Sequence, residues 1–383
     1  MIMADNNENK VLNVPHLRFP EFSGEWNKYT INDLATVVGG GTPDTTVKSY
    51  WGGDIQWFTP SEIGKNKYVD FSKRTITRDG LDNSSAKLLP LHTILLSSRA
   101  TVGECSIASN ECTTNQGFQS LIAKQCNIDF LYYLIQTKKK DLIRNACGST
   151  FLEISANEIR KIKVAVPVQN EQEQIAKLLS LIDERIATQN KIIEDLKKLK
   201  SAITDLLFHS IADAHTIRLG KIAHITNGAG DVQDANTEHQ EDWYPFFDRS
   251  EELKWFPTYS FDKEAVIYAG EGQSFYPRYY NGKFALHQRC YAITDFASCI
   301  IPKYCYHFMN TLNSYFVRNS VGSTVPSLRM DIFQKVEIRL PLIPKQQHIC
   351  KIIDAFYTKL EVEQRGISIL QELKQFLLSQ MFI

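Results

Sequence analysis

A long amphipathic stretch occurs twice in this chain and limits what the chain can fold into. Residues 172–208 reappear without a gap as residues 346–382, 174 positions later. Apolar side chains recur near every 3.5 residues over about five heptads, which is typical of coiled-coil helices. At about 1.5 Å per residue, each helix would extend roughly 55 Å. The predicted apolar stripes consist of Ile175, Leu178, Ile182, Leu196 and Leu199 in the first copy and Ile349, Ile352, Phe356, Leu370 and Leu373 in the second.

The duplication extends beyond the two helices. From residue 303 onward the second half of the chain matches the first without gaps, so that the triplet at 148–150 returns at 322–324. The fronts of the two halves, residues 26–125 and 213–300, diverge in sequence and read as short strands joined by polar loops. Such a repeat predicts two modules on one structural plan, with scaffolds under shared packing demands and tips free to differ.

The predicted fold class is α/β, with two similar globules of mixed helix and strand separated by two long helices in a pseudo-twofold repeat. Polar residues interrupt both stripes at matching places, for example Gln189 and Glu363. Polar core residues fix register and orientation, so they favour an antiparallel coiled-coil spacer over two ordinary bundle helices. The expected segments are an N-terminal arm (1–25), the first globule (26–168), the first coiled-coil helix (169–209), the second globule (210–343) and the second coiled-coil helix (344–383).

Composition and charge leave a nucleic-acid partner possible without indicating one. The 43 basic residues balance 43 acidic ones, but a basic face can coexist with acids elsewhere. No apolar run has the length of a signal peptide core or a membrane helix. Eight cysteines are scattered without a C-x-x-C pair, which favours free thiols in a reducing cytosol over a zinc cage. We therefore expect a cytoplasmic protein with no metal site.

Several catalytic signatures are missing from the sequence. It contains no phosphate-binding G-x-x-x-x-G-K-[ST] loop, Gly-rich dinucleotide turn, G-x-S-x-G elbow or H-E-x-x-H helix. The Asn/Asp-Pro-Pro-aromatic motif of amino-methyltransferases is also absent. Residues 61–65 superficially resemble the acid–lysine pair of a nuclease, but no second carboxylate is convincingly placed. The sequence thus predicts a non-catalytic chain without catalytic residues.

Basic and aromatic residues are interleaved on the predicted loops at the front of each globule. Arg and Lys supply cations to phosphates and donors to guanine, and amide side chains pair with adenine. The alternative is an ordinary solvated surface. Basic and aromatic residues are most closely spaced at 275–283, which favours DNA contact there more than elsewhere. The candidate DNA-binding residues are Thr42, Lys65, Lys67, Arg74, Arg78 and Arg99 in the first globule and Arg249, Arg278, Tyr279, Tyr280, Lys283 and Arg289 in the second.

Two further pairs of sites fall at corresponding positions of the repeat. Asn115-Gln116 and His287-Gln288 each precede a predicted strand, and their side chains could face bases or satisfy a strand-opening turn. The triplets Gly148-Ser149-Thr150 and Gly322-Ser323-Thr324 each follow a predicted helix. Their hydroxyl groups could contact phosphates, or the triplets could stop one helix and cap the next segment. Both interpretations remain open for each pair.

The chain resembles the specificity subunit of type I restriction-modification systems over essentially its whole length. The stretch L-R-F-P-E-F-S-G-E-W at 17–26 is similar to the usual opening of that family. Residues 166–183 and 340–353 look like its two conserved junctions, and the twofold layout is more telling than any single motif. One departure is Gly366, which stands where the first helix has Ile192 and predicts a helix weakened by about 1 kcal/mol.

The resemblance implies a function and a set of partners. In that family each globule is a target-recognition domain that reads one half of a split double-stranded DNA sequence, and the two helices form an antiparallel spacer. Two methyltransferase subunits and motor–nuclease subunits assemble on it, so the stripe residues are also expected to dock partners. S-adenosylmethionine, ATP and magnesium would then bind the partner subunits, and this chain would bind none of them. The base-contacting loops vary among members, so individual contacts do not transfer.

A near alternative and one from another functional class stay open at this point. The chain could be the recognition subunit of a related restriction enzyme outside type I. It could also be a coiled-coil adaptor whose two modules bind peptides or proteins and never touch DNA. Replacing the first globule with that of another family member would separate these, because a DNA reader would change one half-site only.

Overall fold

The computed structural model of the protein describes residues 13–148, 152–211, 214–322 and 324–383. This part of the chain forms two compact units. Unit 1 combines the residues up to Asn190 with Arg365–Ile383, and unit 2 consists of Lys191–Gln364. Each unit therefore contains one globule together with half of each long helix. In the described residues no helix has both the length and the apolar character needed to cross a membrane.

Unit 1 is a mixed α/β globule. Its elements are β1 (Asn27–Thr30), α1 (Ile31–Leu34), β2 (Ala35–Gly39), β3 (Trp51–Phe58), β4 (Tyr68–Val69), β5 (Arg74–Ile76), α2 (Arg78–Asp82), β6 (Ile94–Leu96), β7 (Cys105–Ala108), β8 (Cys112–Thr114), β9 (Gln119–Ala123), α3 (Ile128–Thr137), α4 (Lys139–Arg144), α5 (Ala156–Lys161), β10 (Lys163–Val166) and α6 (Gln169–His209), the last extending into unit 2. The strands form sheets of order β2-β9-β6-β7-β4, β5-β3-β8 and β1-β10.

Unit 2 repeats this plan with longer strands. It contains β11 (His215–Arg218), β12 (His224–Asn227), β13 (Tyr244–Phe247), β14 (Lys254–Phe256), β15 (Phe261–Ala269), β16 (Arg278–Leu286), β17 (Cys290–Thr294), α7 (Pro302–Met309), α8 (Asn313–Asn319), α9 (Met330–Gln334), β18 (Glu337–Leu340) and α10 (Ile343–Met381), the last extending into unit 1. One sheet has the order β12-β17-β15-β16-β13-β14, and β11 pairs with β18 as β1 pairs with β10. The predicted α/β class and its duplication are confirmed.

Local sequence interrupts two stretches of secondary structure in unit 1. The apolar stretch at 29–38 is not one strand, because Thr30 and Asp33 form a capping box that turns residues 31–34 into a helical turn between β1 and β2. The helical region at 128–144 is divided at Lys138 into α3 and α4. Gly148 does not stop it: α4 ends at Arg144, and Gly148 lies instead in a loop closed by a bridge between Cys147 and Glu153.

Within each unit the two helix halves run antiparallel. In unit 1, Asp183 of α6 pairs with Lys374 of α10 at 2.7 Å, and Ile175 shares a core cluster with Phe382. In unit 2, Lys200 lies 4.1 Å from the ring centre of Tyr357, and Phe208 shares a core cluster with Ile349. Residues later in α6 contact residues earlier in α10, so the two helices run antiparallel, as predicted.

The predicted stripe residues divide into two groups by exposure. Ile175, Ile182 and Ile349 are buried, and five others are partly buried: Leu178, Leu196, Ile352, Phe356 and Leu370. Leu199 and Leu373, which correspond in the repeat, are instead 49% and 42% exposed. Each helix has a second apolar face that points away from the helix-pair core, and these two leucines lie on it. That face includes Ile192 and Leu206 on α6 and Ile369 and Phe376 on α10.

The described part of the N-terminal arm is anchored to the helices of unit 1. Arg18 donates two hydrogen bonds to Glu171 at 2.7 and 2.8 Å, and Glu171 is fully buried. The indole of Trp26 donates to the same carboxylate at 3.3 Å, and its ring packs edge-on against Phe382. The backbone N–H of Leu17 donates to the carbonyl of Gln380. The C-terminal end of the arm is therefore part of the fold of unit 1.

Corresponding polar contacts attach each globule to its helix pair. In unit 1 the hydroxyl of Tyr133 donates to Asp183 of α6 at 2.7 Å. In unit 2 the equivalent residue is His307, which hydrogen-bonds Asp354 of α10 at 2.9 Å. Burial lowers the pKa of His307, and this effect outweighs the opposing influence of the Asp354 carboxylate. Each module is thus fixed to the long helices by a buried polar side chain of its own.

Replacing Gly366 with alanine is expected to stabilise the protein by about 0.5–1 kcal/mol. The helix α10 continues through Gly366, and a Cβ built there meets no atom within 4 Å. The glycine therefore contributes backbone freedom to the unfolded chain without a steric need in the folded one. Urea unfolding of Gly366→Ala beside the unmodified protein measures the difference. A lower midpoint for the variant would contradict an unstrained helical position.

Candidate nucleic-acid interface

The two Asn/His-Gln pairs occupy equivalent places in units 1 and 2. In unit 1, β3 and β8 pair in parallel, and the N–H of Asn115 donates to the carbonyl of Phe58 at 3.0 Å. In unit 2, β13 and the end of β16 pair in parallel, and the N–H of His287 donates to Phe247 at 3.0 Å. We call residues 115–117 and 287–289 the amide turns. Each lies at the end of a strand, where the chain leaves the sheet.

A glycine presses against the back of each amide turn. A Cβ on Gly40 would lie 2.1 Å from the carbonyl oxygen of Asn115, and one on Gly228 would lie 2.0 Å from that of Leu286. Real Cβ atoms do not approach so closely, so both positions require glycine for a close backbone approach. Within the run Gly39-Gly40-Gly41, Gly40 is therefore required by the close approach of the amide turn.

The first residue of each pair is used within its own turn. The Oδ1 of Asn115 accepts the N–H of Gly117 at 2.9 Å, and the Nδ1 of His287 accepts the N–H of Arg289 at 3.2 Å. This geometry is the self-satisfied turn that the sequence left open as an alternative. Asn115 and His287 therefore shape the turns.

The second residue of each pair faces outward. Gln116 is exposed and its Oε1 accepts a hydrogen bond from the hydroxyl of Thr42, which brings two of the predicted residues together. Gln288 is exposed beside Arg289, whose guanidinium pairs with Glu271 at 2.8 Å. Amide and guanidinium groups at a turn apex offer donors and acceptors of the kind that read base edges.

A second turn lies next to each amide turn. After β3, the backbone and hydroxyl of Thr59 donate to Glu62, which closes a capping box. After β13, Asp248 accepts from the backbone and hydroxyl of Ser250 and from Lys254 at 2.7 Å. These residues were not predicted from the sequence, although Asp-x-Ser is a recognisable turn pattern.

The carboxyl group of Asp248 is buried and charged. Burial acts to raise its pKa, but hydrogen bonds from Lys254 and Ser250 together outweigh burial and hold the pKa below its usual range. A cavity of about 240 Å³ opens beside it. The cavity is lined by Val232, Asp248, Arg249, Glu271, His287, Gln288 and Arg289. Four of the predicted DNA-binding residues of unit 2 thus line one polar recess: Arg249, His287, Gln288 and Arg289.

The predicted cations of unit 1 differ in availability. Lys65, Arg74, Arg78 and Arg99 are exposed. Arg78 and Arg99 pair with carboxylates at 3.2 and 3.7 Å, contacts that solvent weakens. Lys67 requires a correction: its side chain is 7% exposed, and its ammonium group is bonded to Asp129 at 2.7 Å and to Ser180 of α6. Lys67 fixes the globule to the helix and is removed from the proposed contact surface.

The predicted residues on β16 are mostly engaged within unit 2. Arg278 donates to the carbonyl of Ser250, and Tyr280 packs against neighbouring aromatic rings. Burial, and then a hydrogen bond to Glu264, raise the pKa of Tyr279 well above its usual range. Lys283 remains exposed, with its ammonium group 4.7 Å from the ring centre of Tyr259. These side chains support the surface more than they form it.

The hydroxyl-bearing triplets are only partly described. Ser149, Thr150 and Ser323 lie outside the described residues, and Thr324 is exposed. The flanking bridges correspond in the repeat, Cys147 with Glu153 and Val321 with Ser327. Among the described residues, no group of three or more His, Cys, Asp or Glu side chains is arranged to hold a metal ion.

Comparison with known proteins gives the same family over both halves of the chain. The family model of the type I restriction modification DNA specificity domain matches residues 23–198 and again residues 212–375. The chain is 28% identical to the type I restriction enzyme MjaIX specificity subunit of Methanocaldococcus jannaschii, over 93% of this chain and 92% of that protein. It is also 28% identical to the EcoR124I/EcoR124II specificity subunit of Escherichia coli, over 48% and 46% respectively.

Solved structures share the fold. The S subunit of a type I restriction-modification system from M. genitalium aligns with a TM-score of 0.62 and 18% identity, covering 97% of this chain and 99% of that chain. A chain from a type I R-M system, solved to explain complex assembly and conformational transition, aligns with a TM-score of 0.60 and 14% identity, covering 93% and 97%. Because two copies of the family's domain span most of its length, the chain belongs to the specificity subunits of type I restriction-modification systems.

Proposed function

We propose that this chain binds a bipartite double-stranded DNA target, with each unit reading one half. The observation that carries the proposal is the pair of equivalent amide turns. Both turns follow a parallel strand pair and contact a glycine. They present different side chains, Gln116 with Thr42 in unit 1 and Gln288 with Arg289 in unit 2. A shared scaffold with different apical groups suits two half-sites of different sequence.

The chain would act without catalysing a reaction itself. Two methyltransferase subunits and motor–nuclease subunits would supply chemistry, and S-adenosylmethionine, ATP and magnesium would bind to them. The exposed apolar residues on the C-terminal half of each long helix support docking of the methyltransferase subunits. On α6 they include Leu199 and Leu206, and on α10 they include Leu373 and Phe376, each 42–65% exposed. Side chains three or seven residues apart lie on one face of a helix, and apolar groups so placed suit a partner helix.

Replacing residues 26–165 with the first globule of another family member is expected to change one half of the methylated sequence and leave the other half unchanged. The physical reason is that each unit carries its own amide turn and its own supporting sheets. Sequencing methylated adenines in cells that carry the chimaera with its methyltransferase subunits gives the result. The unmodified chain, expressed in the same cells, is the control.

Three outcomes would contradict the proposal. Changes in both halves would show that the units do not read DNA separately. Unchanged methylation would remove the first globule from recognition. Association with the other subunits without any DNA binding would favour a protein adaptor.

The affinity of the chain for DNA should also fall steeply between 50 and 200 mM salt, by about a thousand-fold or more for six phosphate contacts.

A further inference from the structure

Among the described residues of unit 1, Phe71 has the most exposed aromatic side chain. It lies between β4 and β5 and is 80% exposed. Single exposed apolar residues are common on protein surfaces, so exposure alone assigns no role. What distinguishes Phe71 is how firmly its backbone is held and what lies around it.

Hydrogen bonds hold the loop on both sides of Phe71. Before it, the carbonyl of Val69 accepts the N–H of Ser109 at 3.0 Å, and the carbonyl of Asp70 accepts from Asn110 at 3.2 Å. After it, the N–H of Ser72 donates to Gln56 at 2.7 Å, and the N–H of Lys73 donates to Glu62 at 2.6 Å. The loop therefore presents the ring from a fixed backbone, so little conformational entropy would be lost on binding.

The Phe71 loop is joined to the amide turn of unit 1 through Trp57. The backbone N–H of Trp57 donates to the hydroxyl of Ser72 at 2.9 Å, and its indole donates to the carbonyl of Gly41 at 2.9 Å. Gly41 in turn donates to Thr114, the residue before the amide turn. Glu62 joins the Phe71 loop to the neighbouring turn after β3, because it bonds both Lys73 and Thr59. Loop and turn are thus parts of one hydrogen-bonded surface.

Basic side chains outnumber acidic ones beside Phe71, with exposed Asp70 before it and two cations after it. Lys73 and Arg74 follow it and are exposed, and the Arg74 guanidinium stacks 3.5 Å from the ring centre of Trp51. Among the described residues, neither cation forms an ion pair. In unit 2, where β13 and β14 pair as β3 and β5 do, the connecting loop carries Glu251, Glu252 and Leu253. The aromatic and basic loop is therefore particular to unit 1.

We propose that Phe71 contacts the base stack of the DNA half-site read by unit 1, as an apolar wedge at a flexible base step. Apolar side chains enter between base steps and partly unstack them, and neighbouring cations neutralise the adjacent phosphates. A protein surface would be the other possible occupant, but unpaired Lys73 and Arg74 beside the ring favour the polyanion. The inference rests on the proposed function, because it requires that unit 1 bind DNA.

The test uses the full chain assembled with its methyltransferase subunits and a duplex carrying the split target. Phe71→Ala is expected to weaken DNA binding by about ten-fold or more, since stacking on a base contributes about 1–3 kcal/mol. Phe71→Leu, which keeps an apolar wedge, is expected to retain most of the affinity. Leu88→Ala, which removes another exposed apolar side chain of unit 1, is the matched control.

A second readout separates a wedge from a merely structural role. 2-Aminopurine placed in turn at each step of the first half-site should brighten on binding at one position, and Phe71→Ala should abolish that increase. The wedge is refuted if Phe71→Ala and Leu88→Ala bind alike, or if Phe71→Ala loses the methyltransferase subunits while its DNA contacts persist. Failure of the unmodified assembly to bind the duplex would instead reject the proposed function.

Discussion

Deleting one heptad from each long helix, residues 193–199 together with 358–364, is expected to shorten the gap between the two half-sites by about three base pairs. Seven residues of α-helix span about 10 Å, and each base pair of B-DNA rises about 3.4 Å. Sequencing methylated adenines in cells that express the shortened chain with its partner subunits would reveal the new spacing. The base identities within each half should stay the same, since neither amide turn is altered.

These two segments are matched by the helix register in unit 2. Lys200 lies over Tyr357 and the helix halves run antiparallel, so residues 193–199 lie opposite 358–364. Deleting only 193–199 serves as a control, because it shifts the register of one helix against the other and should prevent assembly. If the doubly shortened chain assembled and still methylated targets with the original gap, the helices would not set the spacing.

Glu171→Ala is expected to lower the free energy of unfolding by about 3–5 kcal/mol, the usual effect of removing one partner of a buried ion pair. Glu171 is fully buried, and the Arg18 side chain that pairs with it is 16% exposed. The variant would leave Arg18 without its anion and Trp26 without its acceptor. Thermal and urea unfolding of the variant measure the loss.

The duplication provides a matched control for this variant. Lys345 corresponds to Glu171 in the second copy and is exposed, so Lys345→Ala should change stability by at most about 0.5 kcal/mol. A double-mutant cycle with Arg18→Ala isolates the coupling between the two charges. Equal stabilities for Glu171→Ala and Lys345→Ala would show that the arm adds nothing to the fold.

The long helices were predictable because their pattern is local and repeated. The stripes at 172–208 and 346–382 lie within three residues of the ends of α6 and α10. What the pattern could not separate were the two apolar faces, since Leu199 and Ile182 look alike in a heptad but differ in exposure. Burial of one face depends on the opposite helix, whose position a single periodicity does not contain.

The recognition surface was predictable only in part. The sequence repeat matched Asn115-Gln116 with His287-Gln288, and the structure shows equivalent turns at these two places. The roles within each pair depend on contacts between distant strands, so Asn115 could not be distinguished from Gln116. Lys67 illustrates the same difficulty, because a lysine in a polar loop reads as exposed until Asp129 and Ser180 are brought to it. No sequence pattern indicated that Phe71 is exposed, because its exposure depends on how the surrounding loop folds.

The chain segments that make up the two units also determine the order in which the units can fold during synthesis. Unit 2 is one continuous segment, 191–364, and can close its core as soon as that segment has been made. Unit 1 must wait for residues 365–383, because Phe382 stacks on Phe130 and Lys374 pairs with Asp183. The globule made first is therefore completed last, and in the interval its apolar helix-facing side is open to chaperones or to misassembly.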